Sequence, residues 1–187
     1  YNWGYDPVNY NVPEGSYSTD AFRGEVRIRE MKEMVAALHK AGIGVIMDVV
    51  YNHMFDAKQS CFEKAEPDYF FRKKNGQYSD ASACGNEVAS EHPMVRRYIV
   101  DSVCYWAKEY HMDGFRFDLM GVLDTETMQE LGERLKEINP SIVLYGEGWT
   151  GGASVLPEYR RAMKKNERMF ENVGMFSDDI RDNVRGH

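Results

Sequence analysis

The 187-residue chain is 43% hydrophobic and 28% charged, with a formal charge of −7, which excludes a disordered or fibrous polymer and allows one good buried core. Its Lys and Arg residues are dispersed rather than clustered, so no nucleic-acid partner is expected. No apolar run approaches the roughly 20 residues that cross a bilayer, so no membrane partner is expected either.

The chain opens on YNWGYDP, with no initiator Met and no basic segment ahead of a signal-like apolar core. Residues upstream are expected to have been lost, and any targeting signal would precede residue 1. Residues 24 to 41 repeat apolar positions at Ile28, Met31, Val35 and Leu38, ahead of Gly42, and this spacing predicts a helix that ends at the glycine. Directly after it, residues 43 to 51 form a short, β-branched, nearly continuous apolar run, as in a buried parallel strand. The next 42 residues, Asn52 to Pro93, show no clear periodicity and read as a long loop of the functional kind. A helix is predicted from about 91 to 110, with Pro93 in its first turn and Val95, Ile99, Val103, Trp106 and Tyr110 on one face.

"HMDGFRFDLMG" follows at 111 to 121. A period of two sends Phe115, Phe117 and Leu119 to one face and Arg116 and Asp118 to the other. A helix over about 125 to 138, striped by Met128, Leu131, Leu135 and Ile138, stops at Asn139 and Pro140 and leads into a strand at 141 to 147. A fourth helix near 154 to 166 and a strand near 168 to 174 complete the alternation. Helices alternating with short apolar strands imply an α/β fold of parallel strands with covering helices. Asp118 and Glu147 end successive strands 29 residues apart, close to one unit of an eightfold barrel of about 250 residues. A doubly wound open sheet would alternate in the same way, but no glycine-rich phosphate loop supports one. A partial (β/α)8 TIM barrel is therefore expected.

The C-terminal ends of three strands carry polar groups: Asp48, Asn52 and His53 on the first, Arg116 and Asp118 on the second, Glu147 with Trp149 on the third. One such end is compatible with a solvated edge strand. Three adjacent ends converge in space and line a site. Two carboxylates without a metal-binding cluster point to acid/base or covalent chemistry, and glycoside hydrolysis uses such a pair most directly. Arg116 shares a face with Asp118 and favours its ionised form, making Asp118 the better nucleophile. Glu147 has no cation neighbouring it in sequence and is the better proton donor. Tyr5, Trp3 and Trp149 are candidate platforms for sugar rings. The three cysteines, Cys61, Cys84 and Cys104, lack metal-ligand spacing; reduced thiols are expected, with a Cys61 to Cys84 bridge as the alternative.

"DVVYNH" (48–53), "GFRFDLMG" (114–121) and "YGEGW" (145–149) resemble, in order and spacing, the first three conserved regions of the alpha-amylase superfamily. "YNWGYDP" (1–7) resembles the signature of type I pullulanases, debranching enzymes that hydrolyse α-1,6 links in pullulan, amylopectin and related α-glucans. The similarity extends over essentially the whole chain, including "FSDDIRDNVRG" near its end. The resemblance implies Asp118 as nucleophile and Glu147 as general acid/base of a retaining mechanism, in which such pairs lie about 5 Å apart. It implies that Arg116 and His53 hold the sugar at the cleavage subsite, that Tyr5 stacks on it, that Asn52 and Asp48 support them, and that Trp149 lies on the leaving-group side. The family also uses a third carboxylate, an Asp preceded by a His near the end of the seventh barrel strand, which this sequence lacks. The chain is thus expected to be the central segment of a catalytic domain, with 52–93 as the long loop after a barrel strand, and to be inactive alone. No cofactor is implied. The superfamily admits calcium, yet Asp56, Asp68 and Asp80 match no calcium-loop spacing. Rival readings are another superfamily enzyme (isoamylase, neopullulanase or α-amylase) and a non-catalytic α-glucan-binding protein.

Overall fold

The computed structural model describes residues 2–186. Tyr1, the first residue of the YNWGYDP heptapeptide, and His187 lie outside them. In chain order the elements are α1 (Gly24–Lys40), β1 (Ile46–Val49), α2 (Cys61–Ala65), β2 (Lys73–Lys74), β3 (Gln77–Tyr78), α3 (Pro93–Glu109), β4 (Gly114–Phe117), α4 (Thr125–Ile138), β5 (Val143–Gly146), β6 (Gly174–Met175) and α5 (Asp178–Arg185).

The helices form where apolar spacing and end signals agree. Pro93 occupies the first turn of α3, where its missing N–H costs nothing, and Val95, Ile99, Val103 and Trp106 are buried. Asp124 caps α4 by accepting the Thr127 N–H at 3.0 Å, a contact worth about 1 kcal/mol, and Met128, Leu131 and Leu135 are buried behind it. After α1 the chain turns at Gly42, whose φ of 75° is left-handed backbone that a side chain resists. The predicted stripe on α1 is covered unevenly: Val35 is buried, while Ile28 is 37% exposed.

The main sheet has the order β1-β4-β5-β6, and all three pairings are parallel. Asp48 lies opposite Arg116, and Arg116 opposite Tyr145, so one face carries a polar row across three strands. The alternate positions include Val49, Phe115, Phe117 and Leu144, which join the core beneath α3 and α4. Full burial of side chains of this size contributes about 1.5–3 kcal/mol each.

Several sequence expectations change. The 43–51 run is not a strand buried on both faces: β1 stands at the end of the strand order, and Ile43 and Ile46 are 53% and 47% exposed. The alternation through 111–121 stops at Asp118, because Leu119 turns into the left-handed region at φ 40°. The 154–166 helix is replaced by 3-10 turns at Glu158–Arg160 and Lys164–Met169. Here the backbone bonds outward: Ala162 N–H donates to Leu123 O at 2.8 Å, and Arg161 bridges Asp124 in an antiparallel pair. The 52–93 segment contains α2 and the β2–β3 hairpin, closed over Asn75 and Gly76, both at positive φ. Phe71, Val88 and Ala89 in it are buried. The short α5 has no counterpart among the elements expected from the sequence.

Candidate active site

Parallel pairing in register brings the C-terminal ends of β1, β4 and β5 side by side. Asp118 N–H donates to Val49 O at 3.0 Å and Glu147 N–H donates to Phe117 O at 3.0 Å, extending the ladder one residue past each strand. Both carboxylates thereby leave the sheet at the same end.

Arg116 stands between them. Its Nη1 donates to Asp48 Oδ1 at 2.7 Å and to Asp118 Oδ1 at 3.2 Å, and its Nη2 donates to Glu147 Oε1 at 2.5 Å. Burial alone pulls the guanidinium down, but the hydrogen bond and charge of Asp48, with the charges of Glu147 and Asp118, outweigh it and hold Arg116 above its ordinary range. The side chains of Arg116, Asp118 and Glu147 keep 15–16% of their surface exposed, and Asp48 keeps 44%, so the cluster opens to solvent.

This geometry corrects one step of the sequence reasoning. Arg116 does not favour Asp118 alone: its shorter contact is to Glu147, which also accepts the Leu119 N–H at 2.9 Å. Sequence neighbourhood therefore does not separate a nucleophile from a proton donor. Leu119 makes that contact from φ 40°, backbone a leucine seldom adopts and of the kind that clusters at functional sites.

Asn52 and His53 lie behind the carboxylates, 0% and 2% exposed. Asn52 Nδ2 donates to the Asp118 backbone oxygen at 2.8 Å and to Asp118 Oδ2 at 2.9 Å. The Asn52 amide oxygen faces His53 Nδ1 at 2.6 Å, so that nitrogen carries a proton and donates. Burial pushes the imidazole below its usual range, and the charge of Asp118 opposes the shift. At the rim, the Tyr5 hydroxyl donates to Asp48 Oδ2 at 2.6 Å; that hydrogen bond, then burial, raises the phenol. The Tyr5 ring lies 5.9 Å from Arg116 Cζ, within cation–π range.

Trp149 is half-buried and reaches the cluster through Phe176, a residue absent from the sequence-derived site. The Phe176 ring is 6.3 Å from Trp149, 5.5 Å from Tyr145 and 5.9 Å from Arg116 Cζ. The available signal is its place just past β6, at the strand end shared with Asp118 and Glu147. Trp3 is 80% exposed. Cys61, Cys84 and Cys104 are free thiols.

Among the described residues no group of three or more His, Cys, Asp or Glu side chains is arranged to hold a metal ion. The loop aspartates serve elsewhere: Asp56 accepts the Gln59 N–H, Asp68 pairs with Lys73, and Asp80 accepts the N–H groups of Cys84 and Gly85. Among the described residues no helix is long and apolar enough to cross a membrane. Three carboxylates around one cation, open to solvent and rimmed by Tyr5 and Phe176, suit acid/base and nucleophilic chemistry on a neutral polar substrate.

No family model matches the chain. It is 43% identical over 188 residues to a pullulanase of Bacillus subtilis, covering all of this chain and 26% of that protein. It is 42% identical over 193 residues to a pullulanase of Klebsiella pneumoniae, covering all of this chain and 17% of that one. The solved pullulanase of Paenibacillus barengoltzii, in complex with maltohexaose and alpha-cyclodextrin, superposes with a TM-score of 0.96 at 52% identity, over all of this chain and 29% of that one. The chain therefore spans between 17% and 29% of the length of these relatives.

Proposed function

Homologous over its whole length to one segment of the pullulanases, this chain, we propose, is the central part of a (β/α)8 catalytic domain that hydrolyses α-1,6-glucosidic bonds in pullulan, amylopectin and related α-glucans. The observation that carries the reading is the single guanidinium of Arg116 holding Asp118 and Glu147 at one open sheet end. Four successive parallel strands, with α3 and α4 packed over one face, support the partial barrel.

The resemblance assigns the roles. The Asp118 carboxylate attacks the anomeric carbon as the bond to O6 breaks, and Glu147 gives its proton to the departing oxygen. Water then attacks the same carbon, losing a proton to Glu147, and releases Asp118 with the configuration retained. A sugar seated between Arg116 and Glu147 opens their 2.5 Å contact and leaves an oxygen to carry that proton. Asn52 orients Asp118, His53 and Arg116 hold the sugar, Tyr5 stacks on it with Asp48 fixing its hydroxyl, and Trp149 with Phe176 bounds the leaving-group side. The third carboxylate of this chemistry lies outside the present residues, so the 187-residue chain is inactive alone.

Product chromatography and anomeric NMR on pullulan test this, using the full-length enzyme beside the chain alone. The full-length enzyme releases maltotriose as the α-anomer and the chain alone releases none. A β-anomeric product overturns the retaining mechanism. Cleavage of α-1,4 links in place of α-1,6 links moves the protein to another superfamily activity, and binding of amylopectin without product identifies a non-catalytic glucan binder.

A further inference from the structure

Another arginine cluster joins segments that leave the same end of the sheet as the site, and the reaction above does not use it. Arg72 and Glu87 are sealed, with side chains 2% and 0% exposed. Arg72 Nε and Nη2 donate to the Glu91 carboxylate at 2.8–3.1 Å. Its Nη1 donates to Val122 O at 2.8 Å and, at 3.4 Å, to Glu87 Oε2. Glu87 Oε1 in turn accepts from Ser154 Oγ at 3.2 Å and the Val155 N–H at 3.4 Å.

These contacts join three segments that leave the same end of the sheet. Arg72 and Glu87 belong to the excursion after β1. Val122 lies in the turn after β4, four residues past Asp118, and that turn supplies the Leu119 N–H to Glu147. Ser154 and Val155 lie in the loop after β5 that begins just past Glu147 and carries Trp149. The excursion grips this loop again where Gly151 and Gly152 N–H donate to Ala81 O at 2.8 and 2.9 Å. A Cβ on Gly151 would meet Ser82 O at 2.7 Å, and one on Gly152 would meet Asp80 O at 2.5 Å. The turn is a 3-10 segment and the loop has no regular ladder, so alongside the bonds of Gly121 N–H to Glu147 O and Lys164 N–H to Gly148 O these crossing bonds contribute to their placement.

We propose that Arg72 and Glu87 are positioning residues for catalysis, clamping the Asp118 turn and the Trp149 loop so that Asp118 and Glu147 stand at reacting distance. The clamp rests on the roles given above to Asp118 and Glu147. A displacement of about 1 Å at reacting groups costs on the order of a hundredfold in rate. Loss of a clamp bond therefore shows in turnover more than in substrate binding.

The test uses the full-length enzyme with Arg72→Lys, which keeps the charge but loses the fork, and with Glu87→Gln, which keeps the shape. Competent sites are counted with a fluoroglycoside that esterifies the nucleophile, and kcat is expressed per titrated site. Arg72→Lys is expected to lower kcat per site by tenfold or more with KM within about threefold, and Glu87→Gln to lower it by a smaller factor. A merely structural role would reduce the number of titratable sites and leave kcat per site unchanged, and that result overturns the proposal. Should Arg72→Lys fail to fold, Glu87→Gln decides by the same criterion. Asp118→Asn alongside separates the two readings. Retained turnover there removes the catalytic assignment and the clamp with it; abolished turnover there, with unchanged kcat per site in the folded clamp variants, overturns the clamp alone.

Discussion

Arg116 and Arg72 each gather carboxylates, and they differ in access to water. Arg116 meets Asp48, Asp118 and Glu147 at an open sheet end, with its own side chain 16% exposed. Arg72 meets Glu87 and Glu91 with its side chain 2% exposed. Charge-assisted bonds serve both, single ones from Arg116 to each carboxylate and a bidentate fork from Arg72 to Glu91. In the open cluster a ligand can replace a contact, so the charges remain available for chemistry. In the other cluster Arg72 and Glu87 are sealed and only Glu91, 16% exposed, reaches the surface, so removing Arg72 or Glu87 strands a buried charge. Identical components thus make a site in one place and a fastening in the other.

The largest stability effect is expected from Arg72→Met, which leaves Glu87 buried beside a thioether. Breaking a buried pair in this way costs about 3–5 kcal/mol, read as a fall in the urea midpoint of the full-length enzyme. Adding Glu87→Met should restore much of the loss, and no recovery would show that the cluster is not a coupled unit. Arg116→Met should do the reverse. Its stability cost is expected to be the smaller of the two, because the cluster opens to solvent at Asp48, which is 44% exposed, and water can reach the carboxylates left behind, while kcat falls on the order of a hundred- to a thousandfold as a charge-stabilising group is lost. A stability loss equal to that of Arg72→Met would erase the contrast between the clusters.

Smaller effects sharpen it. Gly76 sits at φ 74°, and a Cβ added there would meet nothing within 4 Å, so Gly76→Ala costs about 1–2 kcal/mol through backbone alone. A neutral result by urea unfolding would mean that the β2–β3 hairpin contributes nothing to the excursion that holds Arg72. The smallest effect concerns His53, whose folded pKa lies below its unfolded value. Between the two the unfolded state binds more protons, so this contribution is complete above about pH 6.5 and is lost as the pH falls through the folded value. Thermal unfolding from pH 7.5 to 5 should show less acid sensitivity in His53→Gln than in the parent, and identical profiles would exclude His53 as a source.

The open cluster is legible in the sequence because its parts lie at strand ends. Period-two alternation puts Arg116 and Asp118 on one face, and strand order places Asp48 and Glu147 beside them. Three-dimensional reach is not legible: Arg116 contacts Glu147, 31 residues away, more closely than Asp118, two residues away. The sealed cluster is hidden for a different reason. Arg72, Glu87 and Glu91 lie where hydrophobic periodicity fails, and their burial depends on segments at Val122 and Ser154. Only Asn75-Gly76, the dipeptide of a tight two-residue hairpin, marks that stretch as built structure. The 154–166 segment misleads because its backbone bonds to Leu123 and Asp124 across the chain rather than four residues back.

The most direct test of the catalytic reading is mass spectrometry of the full-length Glu147→Gln enzyme after reaction with an activated α-glucosyl fluoride. Fluoride leaves without a proton donor, so the first step proceeds while hydrolysis of the intermediate is slowed. The account predicts a glycosyl ester on the peptide carrying Asp118. A glycosyl ester on another residue, or rapid turnover with no covalent species, would contradict it.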